Sequence, residues 1–194
     1  MRVEVPRNLT PKVYIEKNTE LVERCKHGDR QAQYKLYKLY SRAMLNTCLR
    51  FVKQQEEAED VLQEAFIDAF TKIHSFRMES SFGLWLKQIV VNKSINHLRA
   101  KKLELVDIED HQYKIEEPES LGIDESELEY RVETVSRALE MLPDGYRTVL
   151  NMYLFEGYDH EEIAGFLEIS ESTSRTQYMR AKKKLVQIIR DGQA

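Results

Sequence analysis

Glycine and proline are scarce in this chain of 194 residues, with 7 of one and 4 of the other. Hairpins and sandwiches consume many turn residues, so the scarcity favours long helices over sheets. Cysteine is scarcer still. Cys25 and Cys48 show no metal-ligand or redox spacing, which argues against a zinc module or a disulfide framework and leaves two reduced thiols in a helical core. No apolar run approaches the roughly 18 residues of a membrane span, and no secretory signal pattern opens the sequence. The expectation is a cytoplasmic protein with no membrane insertion of its own. His27, His74, His97, His111 and His160 are scattered and form no acid–base or metal cluster, so neither an enzyme of its own nor a cofactor is expected.

What is abundant is charge, at 32% of residues, and it is unevenly spread. Residues 103–129 hold eleven acids against Lys114 alone; that stretch carries −10 of a formal total of −4, which leaves +6 for the rest. Such asymmetry suggests basic modules joined by an acidic segment, and the acidic total is no argument against a nucleic-acid partner.

Hydrophobic period assigns helices throughout. A short helix over 18–28 ends at Gly28, a natural C′ residue. From Gln31 to Lys53 an apolar stripe of Tyr37, Tyr40, Met44, Cys48 and Phe51 lies opposite Lys35, Lys38, Arg42, Arg50 and Lys53. From Glu56 to Ile73 the apolar residues Ala58, Val61, Leu62, Ala65, Phe66, Ala69, Phe70 and Ile73 recur at spacings of three and one. A fourth helix spans about Phe82–Ala100. Residues 103–123 lose the period, contain Pro118 and Gly122, and read as a linker. The period returns with Leu128, Val132, Val135, Leu139 and Leu142, and Pro143 stops that helix at the first turn of the next. The expected fold is all-α. A 1–17 extension precedes a domain over 18–102, and the acidic flexible linker over 103–123 leads to a helix-turn-helix domain over 124–194.

In the second domain, Asp159 followed by Glu162 marks a helix start, and Ser170 or Ser172 can cap the helix after the tight "EIS" connection. On that last helix Ser174, Tyr178, Ala181, Leu185 and Ile188 fall on one side. Ser172, Arg175, Thr176, Met179, Arg180 and Lys183 fall on the other. A second helix presenting hydroxyls and guanidiniums from its N-terminal half is a helix-turn-helix reader. Arg175 suits guanine or phosphate and Met179 a thymine methyl, while Arg180, Lys182, Lys183 and Lys184 suit phosphate. A solvated basic face is the plainer alternative.

In the first domain, one stripe of the fourth helix carries Trp85, Gln88, Asn92, Asn96 and Arg99, preceded by a polar loop with Arg77, Ser80 and Ser81. Amides pair with base edges and an indole offers a stacking face, so an unpaired strand is one partner that fits; for Trp85 a core position is equally well supported. The helix before it shows Asp60, Gln63, Glu64, Ile67 and Asp68 on its polar side, and an isoleucine among acids suggests a basic protein partner.

The stretches "EDVLQEAFIDAFTKI", "FGLWLKQIVVNKSINHLRAKK" and "LPDGYRTVLNMYLFEGYDHEEIAGFLEISESTSRTQYMRAKKKL", in that order, resemble a bacterial RNA polymerase sigma factor of the extracytoplasmic-function group. The resemblance covers about residues 18–102 and 124–190. It implies that Asp60, Gln63 and Phe66, with Glu64 and Ile67 beside them, grip the β′ clamp of core polymerase, with further contacts to the β subunit; Phe66, on the apolar stripe of its helix, reads as mainly core. It implies that Asn92, Asn96, Arg99 and the Arg77–Ser81 loop hold the −10 promoter element, and that Arg175, Thr176 and Met179, flanked by Ser172 and Thr173, face the −35 element. Residues 103–123 would thread towards the polymerase active centre, and an anti-sigma factor is a possible further partner. The chain departs from the family pattern at Glu168, where glycine is frequent, at Ser174, where an apolar residue is frequent, and at Asn96, where many relatives have aspartate. The rival reading is a dimeric helix-turn-helix regulator whose first domain senses a ligand; it has no use for the Asp60/Gln63 face and requires a palindromic site.

Overall fold

The structure is a computed structural model. It describes residues 18–101 and 125–192, the side chains of the second span from 133 onward. The 1–17 extension and the acidic segment over 103–123 lie outside the described residues, as does position 124.

The first module is a cluster of four helices: α1 (Thr19–Lys26), α2 (Arg30–Phe51), α3 (Gln55–Thr71) and α4 (Phe82–Ala100), with a 3₁₀ turn at Ile73–Ser75. Gly28 takes φ +79° just after α1, a backbone only glycine adopts without strain. Asp29 then caps α2, accepting from Gln31 N at 2.8 Å and Ala32 N at 3.2 Å. Ala58, Ala65 and Ala69 are fully enclosed, and their small side chains let α2 and α4 close on α3 around Leu36, Phe51, Phe82, Leu86 and Val90. At Gly83 the approach is closest: a Cβ there would stand 2.8 Å from the Tyr40 ring.

The second module comprises α5 (Glu125–Met141), α6 (Asp144–Asn151), a π-helical turn (Met152–Glu156), α7 (His160–Leu167) and α8 (Glu171–Asp191). Pro143 occupies the cap of α6 and Gly157, at φ +77°, ends the π turn. Its own core is small: Leu142, Leu150 and Ala181, with Leu139, Tyr146, Leu185 and Ile188 packed against them.

That core is small because the module also leans on the first one. Val149, Met152, Ile163 and Leu167 belong to the same continuous core as Leu36, Cys48 and Phe51. The junction has a polar logic as well. The last carbonyls of a helix lack partners within it, so those of α2 need donors from elsewhere. Arg147 supplies one from Nη2 to Phe51 O at 2.6 Å, and Asn151 Nδ2 donates to Arg50 O. Arg147 is 3% exposed, and Asp144 at 2.9 Å compensates its charge. Nearby, the Glu156 side chain is fully enclosed, with Oε1 2.7 Å from Arg50 Nη2 on α2 and Oε2 2.6 Å from Lys87 Nζ on α4.

Candidate nucleic-acid interface

The helix-turn-helix is built by two caps and one strained residue. Asp159 accepts from Glu162 N at 2.8 Å while its own N–H donates to Glu162 Oε2 at 2.9 Å, a capping box that starts α7. Glu168 ends α7 in the left-handed region at φ +56°, so the turn keeps its shape without glycine and carries the steric cost of a Cβ there, about 1–2 kcal/mol. Ser170 is the cap of α8, accepting from Thr173 N at 3.0 Å.

On α8, Ser174 and Ala181 turn inward, and Ser172, Arg175, Thr176, Met179, Lys182 and Lys183 are exposed on the outer side. Thr173 and Arg180 sit half-buried at the margin. Arg175 pairs with Glu171 one turn back, a surface contact that a phosphate or guanine can replace at little cost.

On α4, Gln88, Asn92 and Asn96 form an exposed line. Trp85 is half-buried: its ring lies 5.2 Å from Phe76 and 5.7 Å from Phe82, so most of it belongs to the core and only part faces outward. In the loop before α4, Arg77 is exposed, and Met78 takes φ +60°. Ser80 is half-buried. The Ser81 hydroxyl accepts from Leu84 N at 3.0 Å, so it caps α4. Arg99 is not free in this arrangement: its Nη2 lies 2.7 Å from Glu168 Oε1, across the gap between the modules. The far end of the stripe is held to α3, where His97 Nε2 is 3.0 Å from Glu57 Oε2 and Lys101 also pairs with Glu57. The Lys101 and then the His97 hydrogen bonds pull the Glu57 carboxyl below its usual range.

The polar side of α3 presents Asp60, Gln63 and Glu64, with Ile67 65% exposed among them. Phe66 does not join this face. It is buried at 3% exposure, edge-on to Tyr37 at 4.8 Å, because it shares the helix side of Leu62, Ala65 and Ala69. The apolar side chain exposed on this face is Ile67, not Phe66. Sequence reasoning also missed Glu57, Arg147, Asn151 and Glu156, which position these surfaces; isolated polar residues on helices carry no signal that a second helix will cover them. Among the described residues, no helix is long and apolar enough to cross a membrane.

A helix-turn-helix with a basic outer face, an amide-lined helix behind a polar loop, and an acidic face centred on an exposed isoleucine together define a DNA-binding transcription protein with a protein-docking surface. Residues 36–104 match Sigma-70 region 2 and residues 133–185 match Sigma-70, region 4. The chain is 35% identical over 183 residues to the RNA polymerase sigma-H factor of Pseudomonas aeruginosa, covering 88% of this chain and 92% of that one. It is 31% identical over 177 residues to the ECF RNA polymerase sigma-E factor of Escherichia coli, covering 85% and 90%. It therefore belongs to the ECF sigma factors, the transcription initiation factors through which RNA polymerase recognises promoters. The fold is shared with CnrH, solved with the cytosolic domain of CnrY (TM-score 0.50, 20% identity, 90% and 97% covered). It is shared too with RpoE of Bartonella quintana, solved with the anti-sigma factor NepR (TM-score 0.50, 22% identity, 81% and 96% covered).

Proposed function

We propose that three surfaces divide the work of this sigma factor. The exposed face of Asp60, Gln63, Glu64 and Ile67 docks on core polymerase, an acidic surface with an apolar centre suited to a basic helical partner. The outer face of α8 reads the −35 duplex in the major groove, with Arg175, Thr176 and Met179 on base edges and Lys182 and Lys183 on phosphates. The line Gln88, Asn92, Asn96, with Arg77 and the exposed part of Trp85, holds unpaired bases of the −10 element.

The observation that carries this reading is that one chain offers a duplex-reading helix and a separate amide-lined strand surface, with an acidic docking face beside the second. The two modules that carry these faces share a core and the Arg99–Glu168 ion pair. The −10 and −35 elements lie about 25 base pairs apart, or roughly 85 Å at about 3.4 Å per step. Promoter binding therefore requires the modules to separate, and the closed form is a resting form of the kind an anti-sigma factor would hold. The test is permanganate reactivity of −10 thymines under the reconstituted holoenzyme. Asn92→Ala with Asn96→Ala should abolish opening while −35 protection persists; opening that survives this double substitution would defeat the −10 assignment.

A further inference from the structure

Ser174 is the one fully buried hydroxyl on the inner face of the reading helix, where a purely apolar contact would serve packing as well. Its partner is on the other helix of the motif. His160, the first residue of α7 and 8% exposed, has Nδ1 2.9 Å from Ser174 Oγ. The imidazole is stacked on Tyr153 of the π turn, with centroids 4.7 Å apart and planes at 20°, and it meets Tyr178 at 5.6 Å. Tyr153 and Tyr178 close the group at 4.5 Å.

This group acts on one element from two directions. Ser174 and Tyr178 lie one turn apart on α8, on the side opposite Arg175, Thr176 and Met179. An apolar contact is indifferent to small rotations of a helix, whereas a hydrogen bond of fixed length is not. Holding Ser174 fixes the rotation of α8 about its axis, and a small rotation moves the Arg175 and Met179 tips by ångströms at a base edge. The capping box beside His160 anchors the other end of the bond.

We propose that His160 is a positioning residue for −35 recognition, setting the rotation of the reading helix through its hydrogen bond to Ser174, its stack on Tyr153 and its edge contact with Tyr178. The inference rests on the assignment of α8 as the −35 reader. With Nδ1 unprotonated Ser174 donates to it; protonation reverses the bond, Nδ1–H donating to Ser174 Oγ, and places a charge in a buried aromatic site. Burial, and then the Arg175 guanidinium, hold the imidazole below its ordinary value of 6.5, against opposing pulls from Glu171 and Asp159. Those three are the charged groups near enough to act on the ring, and the π turn packs neutral Tyr153 against it. A histidine lowered on folding favours the folded arrangement above its ordinary value and loses that contribution as pH falls through the folded one. Recognition should accordingly be level above neutrality and decline in mild acid.

The test uses the full chain in holoenzyme and a −35 duplex recovered from a random pool by the wild type, with a scrambled duplex as reference. His160→Leu should lower the preference for the recovered duplex about tenfold, and His160→Leu with Ser174→Val should restore much of it. His160→Asn keeps an acceptor near Nδ1 that does not titrate. It should retain the preference at neutral pH and remove the decline expected of the wild type as pH falls below the ordinary histidine value. Wild-type preference and profile in His160→Leu, or an undiminished acid decline in His160→Asn, would overturn the proposal. A wild type that recovers no preferred duplex would overturn the −35 assignment itself, and the role of His160 with it.

Discussion

Arg99 on α4 and Glu168 in the turn of the helix-turn-helix form an ion pair of 2.7 Å between residues 69 positions apart. Each belongs to a different module, so the contact ties α4 to the turn of the helix-turn-helix. Glu168 is also the residue that occupies the left-handed end of α7.

Backbone conformation decides the outcome at that position. Within a helix, alanine is more stable than glycine; at φ +56° the order should reverse. Glu168→Gly is expected to be more stable than Glu168→Ala by about 1 kcal/mol in urea unfolding, both having lost the same exposed ion pair. Equal stabilities would show that the turn relaxes out of the left-handed region.

The second prediction concerns the junction. Glu156→Ala leaves Arg50 and Lys87 facing each other without their shared carboxylate. Breaking a buried pair commonly costs 3–5 kcal/mol, and since both cations remain about one-third exposed, about 2 kcal/mol is expected. Small-angle scattering should report a larger radius of gyration for the variant than for the wild type. Unchanged scattering and stability would mean that the shared core and the Arg147 and Asn151 bonds hold the junction unaided.

A third prediction separates positioning from reading on α8. Lys182→Ala should weaken binding of all duplexes similarly and reduce the salt slope by about one counterion. Arg175→Ala should flatten base preference at one or two positions of the −35 element, at a cost of about 1–3 kcal/mol for the preferred base. Competition binding by holoenzyme across salt concentrations distinguishes the two.

The thiols give an independent measure of the fold. Burial pushes both Cys25 and Cys48 up to about 11, so neither is a thiolate near neutrality. Both are free and buried. A thiol reagent at neutral pH should leave the native chain unlabelled and modify both cysteines in denaturant. Rapid labelling of Cys25 alone would reveal local opening of α1.

Much of this was legible in the sequence, and the pattern of misses is physical. The α4 boundaries, the Asp159–Glu162 box and the exposed Ile67 follow from period and caps, which are local. Phe66, which the resemblance includes in the docking motif, is turned inward as the helical period of Leu62, Ala65 and Ala69 indicates. The junction was not legible. Arg147, Asn151 and Glu156 look like ordinary surface residues on a helix; the first two become buried because the end of α2 presents carbonyls that need donors, and Glu156 because Arg50 and Lys87 converge on its carboxylate. That is a tertiary fact with no sequence period. Ser174 appeared as a departure from the family pattern, and His160, 14 residues earlier, supplies its partner.

The most direct test of the account is co-migration of the purified chain with bacterial core RNA polymerase, wild type beside Asp60→Ala, Gln63→Ala and Phe66→Leu. The account predicts stoichiometric binding by the wild type and by Phe66→Leu, weakened by each of the two surface substitutions. A chain that ignores core polymerase and binds DNA as a dimer, or one whose binding depends on Phe66 and not on Asp60 or Gln63, would contradict it.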